Sequence, residues 1–373
     1  MKEIKAAVVN GVNEDYQIER VYLDQPNSNE ILVKIVASGI CHSDEAFRLG
    51  DAAYNLPAIF GHEGAGIVEE VGDAVKTVQA GDHVVLSHSF CGHCYNCLHG
   101  KPASCSDWPA LNVVGRRGDG TAVFYKEDKT TPISNFLGQS SFATYTVVDE
   151  SNIIKVDKSI DLRIVGPLGC GFLTGSGTVL NGFNPPVGST ITVFGTGTVG
   201  LGAMMASCIS SFPIVIAVDI HDHRLEISKK MGSTHTINSL KVDVVEEIKK
   251  ITNGLGTDYV IDTTGVSEVM KAALEVTAQG GVYAPVAVTN KEFSISPFID
   301  LVVGTKTIKG VLMGDAVPQT FIPQLIGFHN RNKFPFDQVI KQFDFEQINE
   351  AANASNSGEV IKPVIIIDKD YTP

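Results

Sequence analysis

Nowhere in this 373-residue chain is there a run of about eighteen apolar residues, the least that a membrane-spanning helix needs. Residues 1–10 likewise lack the basic stretch and apolar core of a secretory signal, so the expectation is a soluble, cytoplasmic protein. Positive charge is short: 29 Lys and Arg face 42 Asp and Glu, for a formal net charge of −13. That balance repels phosphate polymers and anionic lipid, which argues against nucleic acid or a membrane surface as partner. Tandem repeats and low-complexity tracts are missing too. Cysteine is sparse and uneven, with four of the seven between residues 91 and 105, a clustering that points to metal rather than to disulfides. Cys208, alone in the small-residue stretch 202–210, reads as buried filler.

What is present divides in two. The length exceeds one ordinary core, and a hydrophobic fraction of 43% supports two. Up to about residue 170, β-branched and alternating apolar segments at 31–36, 66–71, 83–87 and 143–148 predict a β-rich half. From about residue 175, strand candidates at 190–194, 214–219, 259–262 and 282–288 alternate with helical segments at 199–211, 224–231, 244–252 and 266–277. That alternation predicts a parallel α/β sheet with right-handed crossovers. Beyond residue 310 the pattern turns helical and closes in a strand at 364–368, while 112–138 reads as a long polar loop.

The strand at 190–194 runs into Gly195-Thr196-Gly197-Thr198-Val199-Gly200 and then a helix. In that setting the first glycine permits the tight turn, the second admits a pyrophosphate to the backbone, and the third lets helix and strand pack. The helix N-terminus adds unpaired N–H groups and a positive dipole end. Asp219, nineteen residues past Gly200, closes the next strand, where a carboxylate accepts both ribose hydroxyls and repels a 2′-phosphate, favouring NAD over NADP. Arg224 either stacks on adenine or meets a phosphate. The plainer alternative is that the glycines serve only a βα turn and Asp219 only caps the segment that follows it.

Cys91, Cys94, Cys97 and Cys105 are separated by two, two and seven residues, a spacing that lets one loop wrap a tetrahedral zinc with four thiolates. A closed set of this kind is structural. His93 and His99 in the same loop read as solvated side chains. Elsewhere stand Cys41 in Gly39-Ile40-Cys41-His42-Ser43-Asp44, His62 in Gly61-His62-Glu63-Gly64, and Cys170 in Gly169-Cys170-Gly171, each ordinary when taken alone.

Together with Phe136-Leu137-Gly138 and Tyr145-Thr146-Val147-Val148, these motifs resemble the zinc-dependent alcohol dehydrogenases of the medium-chain dehydrogenase/reductase family over almost the whole chain. The nearest likeness is to aryl (benzyl) alcohol dehydrogenases, judged from residues 166–171 and from Lys333-Phe334-Pro335-Phe336-Asp337. The resemblance implies a β-rich, partly barrel-like (GroES-like) catalytic domain at 1–172 and 320–373, a doubly wound Rossmann domain at 173–319, and an active site in the cleft between them. It implies Cys41, His62 and Cys170 as ligands of a catalytic zinc with one open position, two zinc ions per chain, and NAD. Ser43 takes the relay position, Asp44 is expected on the far nitrogen of His62, and Glu63 behind the metal. His42 stands where arginine often faces the pyrophosphate, Thr174 near the nicotinamide, and Lys362 within reach of the pyrophosphate. Ser87, Phe136, Val288 and Leu312 are the implied substrate-pocket residues, Ser87 replacing a bulky aromatic.

One departure concerns the relay. Ala46 stands where many relatives carry a histidine, so water on the cofactor ribose, together with Glu45, is the expected substitute. The implied activity is oxidation of primary aromatic or allylic alcohols to aldehydes and the reverse, in a homodimer or homotetramer formed through residues 294–312. Two alternatives stand beside it. One is a glutathione-dependent formaldehyde oxidoreductase, for which Arg116 and Arg117 are the nearby cations, and the other a catalytically silent NAD- and zinc-binding structural protein.

Overall fold

A computed structural model describes all of residues 1–373. By its internal contacts the chain forms two compact units, one of Met1–Cys170, Val317–Leu325 and Asp337–Pro373, the other of Gly171–Ala316 and Ile326–Phe336.

The first unit is β-rich and combines a small closed barrel with a seven-stranded sheet. The barrel runs through Lys2–Val9, Gln17–Leu23, Phe124–Tyr125, Pro132–Asn135 and Ala58–Ile59, most of them strands too short or too irregular to show in the sequence. In the larger sheet the strand Glu30–Gly39 is buried at nine of its ten positions, and Gly64–Val71, Tyr145–Asp149 and Lys362–Ile366 all pair with it antiparallel. Its register puts Ser38 opposite Gly64 and Gly39 opposite Val364. An antiparallel pair brings the end of one strand beside the start of the other, so Cys41 and His62 arrive at the same sheet end. The third approach is the 3₁₀ turn Gly166–Gly169, whose last residue lies so close to the strand His83–Leu86 that a Cβ there would come within 2.0 Å of the Leu86 carbonyl oxygen. Cys170 follows directly.

The second unit holds the expected parallel sheet, six strands in the order His235–Asn238, Ile214–Asp219, Thr190–Phe194, Thr257–Asp262, Thr277–Pro285 and Thr307–Ile308. Chain order reverses beside Thr190–Phe194, the switch point at which such sheets bind ligands. Helices Thr198–Ile209, Asp222–Lys230, Val244–Ile251 and Ser267–Val276 alternate with the strands. Phe194, Ile216, Val218, Val260 and Tyr283 form its core, in keeping with strands covered on both faces. Two short edge strands, His235–Asn238 and Thr307–Ile308, were not expected. Cys208 is exposed rather than buried, its Sγ 3.7 Å from the Gly232 carbonyl, because it occupies the solvent side of Thr198–Ile209. No helix is long and apolar enough to cross a membrane.

Candidate functional site

Cys41, His62 and Cys170 meet in the first unit, with their ligand atoms all within 4.8 Å of one another. Cys41 ends the connection from Glu30–Gly39 and precedes the helix His42–Leu49. Asp44, on the first turn of that helix and wholly buried, ties the centre together. Its Oδ2 accepts the Cys41 N–H at 3.0 Å, and its Oδ1 accepts the Gly61 N–H at 2.9 Å and faces His62 Nδ1 at 2.8 Å. A carboxylate there keeps the proton on Nδ1 and leaves the lone pair on Nε2.

Nε2 is buried and has no protein partner. Leaving such an atom unpaired is costly, and a cation among the three donors resolves it. The sulfurs agree. Hydrogen bonding from the Cys170 thiol holds Cys41 well below the usual thiol range, and the same contact together with burial pushes Cys170 up. The pair shares one negative charge, and a dication is what lets both ionise. Two sulfurs and one imidazole with a position to spare are a catalytic zinc donor set.

Behind the centre, Glu63 is fully buried and receives Lys362 Nζ at 2.8 Å. Burial pushes the Glu63 carboxyl up to about 7 in spite of that ammonium. The remaining reach of Lys362 goes to the Ile40 carbonyl at 2.8 Å, and the residue is 1% exposed. The expected contact with a pyrophosphate is therefore corrected: this ammonium neutralises a buried carboxylate beneath the centre. Glu45 is a second correction. It too is fully buried, with Oε1 held by Tyr16 Oη at 2.9 Å and Arg48 Nε at 3.0 Å, and Oε2 by Arg48 Nη2 and Asn356 Nδ2 at 2.7 Å each. A carboxylate so saturated anchors the helix and does not carry protons. Sequence spacing gave no hint of Tyr16 or Asn356, which lie at opposite ends of the chain.

Ser43 is half-buried, its Oγ 3.9 Å from Cys41 Sγ, and His42 is exposed on the same turn. Ser87 is buried and donates to the Gly169 carbonyl at 2.7 Å, bracing the turn that delivers Cys170. Phe136 is fully buried with its ring edge-on to His62, centroids 5.4 Å apart. Around it stand Phe47, Tyr54 and Phe60, an aromatic group that the sequence reading missed because Phe136 joins the stretch 47–60 only through the fold. Thr174, Val288 and Leu312 belong to the second unit, the first buried and the last two 42% and 44% exposed.

The four remaining clustered cysteines also converge within 4.8 Å. Cys91 and Cys97 sulfurs lie 4.0 Å apart, as do those of Cys94 and Cys105, close to the ~3.8 Å edge that bonds of about 2.3 Å to a tetrahedral zinc require. Backbone N–H groups of Cys94 and Cys91 point at Cys91 Sγ and Cys105 Sγ at 3.3 and 3.4 Å, a setting for thiolates.

In the second unit Gly195 has φ +87°, and a Cβ on Gly200 would come within 1.9 Å of its carbonyl oxygen, while nothing lies within 4 Å of the Cβ position of Gly197. The turn, the packing and the open approach thus fall to the glycines assigned to them. Asp219 ends its strand 8% exposed, with Oδ2 accepting from Thr196 N at 2.7 Å and Oγ1 at 2.6 Å, and Oδ1 from the N–H groups of Ile220 and His221 at 2.8 and 3.0 Å. These donors hold the carboxyl below its usual range despite burial. Arg224 is half-buried nearby, and burial lowers its pKa. The part of Thr196 went unread in the sequence.

A GroES-like unit with a three-donor metal centre and a closed tetrathiolate loop, in one chain with a Rossmann-type sheet, is the make-up of a zinc-dependent dehydrogenase. Residues 27–158 match the family model described as "Alcohol dehydrogenase GroES-like domain", and residues 198–329 that of "Zinc-binding dehydrogenase". The chain belongs to the zinc-containing medium-chain alcohol dehydrogenase family. It is 37% identical over 366 residues to a geraniol dehydrogenase of Castellaniella defragrans, covering 97% of each chain. It is 34% identical over 374 residues to an S-(hydroxymethyl)glutathione dehydrogenase of Paracoccus denitrificans, covering 97% of this chain and 99% of that one. The crystal structure of a benzyl alcohol dehydrogenase from Acinetobacter calcoaceticus superposes with a TM-score of 0.93 at 39% identity, covering 99% of this chain and 100% of the other.

Proposed function

We propose that this zinc-dependent alcohol dehydrogenase interconverts primary aromatic or allylic alcohols and their aldehydes with NAD. The observation that carries the substrate class is the aromatic group of Phe47, Tyr54, Phe60 and Phe136 set against the ligand His62. Phe47 and Tyr54 are the part-exposed members, backed by the fully buried Phe60 and Phe136, and planar or unsaturated carbon gains from such a surface by area and by edge-to-face contact, where ethanol has little to bury. Similarity to enzymes named for benzyl alcohol and geraniol points the same way.

When bound, the zinc supplies Lewis acidity toward the substrate oxygen and NAD takes the hydride. Cys41, Cys170 and neutral His62 balance the charge of a dication, and Asp44 holds the imidazole in its ligand tautomer. Ser43 Oγ, beside Cys41, accepts the substrate proton. With Ala46 apolar and Glu45 locked to Arg48, neither side chain carries the proton on from Ser43, and water at a bound cofactor's ribose would take that part. Gly195, Gly197, Thr198, Val199 and Gly200 would hold the pyrophosphate, Thr174 the nicotinamide and Asp219 the adenosine ribose, with Arg224 near Asp219; His42 of the first unit is a further candidate phosphate ligand. Val288 and Leu312 are the apolar residues that the second unit contributes to substrate binding.

The glutathione-dependent reading needs cations for carboxylates. Arg117 is committed to Glu30 at 2.8 Å and Asp24 at 2.9 Å, which leaves Arg116, itself on Ser134 Oγ at 3.1 Å. A silent structural protein is disfavoured by the complete donor set with its unpartnered Nε2. Homo-oligomer formation through residues 294–312 is supported by Phe298, Ile299 and Val302, each more than 60% exposed next to the edge strand Thr307–Ile308.

The deciding experiment is one panel of benzyl alcohol, geraniol, ethanol, and formaldehyde with and without glutathione, run with NAD and NADP. A higher kcat/KM for benzyl alcohol or geraniol than for ethanol, with NAD, upholds the reading. A preference for ethanol, or formaldehyde turnover only with glutathione, overturns it.

A further inference from the structure

His93, which reads from the sequence as a solvated side chain, is not idle in the fold. Its Nδ1 lies 2.7 Å from the Cys91 carbonyl oxygen. A carbonyl only accepts, so Nδ1 carries the proton and Nε2 keeps its lone pair. That is the tautomer and the backbone anchor of a metal-binding histidine. Ligand atoms of Cys91, His93 and Asp107 lie within 4.8 Å of one another. Asp107 precedes the helix Trp108–Asn112, yet its side chain makes no capping hydrogen bond and is exposed.

Cys91 is also one of the four sulfurs of the structural centre. Four thiolates around one dication leave two negative charges, and a bound thiolate sulfur still has lone pairs to offer. The same side chains, with Arg116 and Asp119, line a cavity of about 1140 Å³, large enough to admit a hydrated ion. Sulfur, imidazole and carboxylate together suit a borderline cation such as zinc and do not suit magnesium or calcium, which prefer all-oxygen sites.

We infer that Cys91, His93 and Asp107 form a third zinc site, which shares the Cys91 sulfur with the tetrathiolate centre and completes its coordination with water. Being exposed and limited to three protein donors, one of them shared, it holds its ion exchangeably and more weakly than the closed site.

The test uses the holoenzyme with its two zinc ions, titrated with zinc by equilibrium dialysis and with cobalt(II) by absorption. A third zinc equivalent at micromolar concentration is expected. His93→Ala and Asp107→Asn should each weaken it at least tenfold while the two resident ions and the thermal midpoint stay unchanged. The third cobalt should add a thiolate-to-metal charge-transfer band. Stoichiometry that stops at two, a third equivalent that both variants retain, or third-cobalt binding without a thiolate band would each overturn the inference.

Discussion

Asp44 Oδ1 and His62 Nδ1 stand 2.8 Å apart, both groups sealed from solvent, while the same carboxylate holds the backbones of Cys41 and Gly61. One side chain therefore sets the tautomer of a ligand and the position of two ligand-bearing loops. Asp44→Ala should weaken zinc at the catalytic centre by about ten- to a hundredfold. After dialysis the variant should hold one zinc per chain, in the cysteine loop, with activity lost in proportion. Two retained zinc ions and an undiminished rate would contradict this role.

Glu45 and Arg48 form a buried ion pair with 2.7 Å and 3.0 Å contacts. Removing the carboxylate strands a guanidinium, the Tyr16 hydroxyl and the Asn356 amide, so Glu45→Ala should cost about 3–5 kcal/mol, read by denaturant unfolding. Because Glu45 anchors and does not relay, the pH dependence of kcat in Glu45→Gln should keep its inflections. A lost ionisation would restore Glu45 as a proton carrier.

His88 introduces an acid sensitivity. It is 1% exposed, its Nδ1 accepts from Trp108 Nε1 at 3.3 Å, and burial lowers its pKa to about 4. The unfolded chain, with an ordinary histidine near 6.5, binds the proton first as pH falls. Stability is therefore intact above about 6.5 and declines as the pH drops toward 4, by about 3 kcal/mol at most. His88→Phe should flatten the fall in thermal midpoint between pH 7 and pH 5. An unchanged slope would remove His88 as its source.

Asp219 is expected to set the cofactor preference. Asp219→Ser should raise KM for NAD and ease entry of NADP, shifting the ratio of their kcat/KM values by about tenfold or more. Since Thr196 loses its acceptor in the same variant, Thr196→Val serves as the control. It should loosen both cofactors without changing the ratio. Equal ratios for Asp219→Ser and the parent would reject the assignment.

His42 is exposed on the first turn after Cys41. His42→Arg should tighten NADH, measured by fluorescence titration, because a permanent guanidinium pairs with phosphate better than an imidazole does. Unchanged affinity would place the pyrophosphate elsewhere.

The amino-acid sequence alone determined the features that depend on local spacing. Four cysteines within fifteen residues can wrap one ion whatever surrounds them, and a glycine-rich turn after an apolar strand cradles phosphate through its own backbone. The alternation of strands and helices beyond residue 175 was legible for the same reason, since each element carries its own period. Family likeness supplied Cys41, His62 and Cys170 as a set. Only the tertiary structure decided what depends on meeting at a distance. The short barrel strands have too few residues for a pattern and exist through their partners. Lys362 could be aimed at a phosphate or at Glu63, and Glu45 at solvent or at Arg48. Burial settled both, because a charge withdrawn from water takes the nearest opposite charge, and the chain does not announce which one the fold will bring.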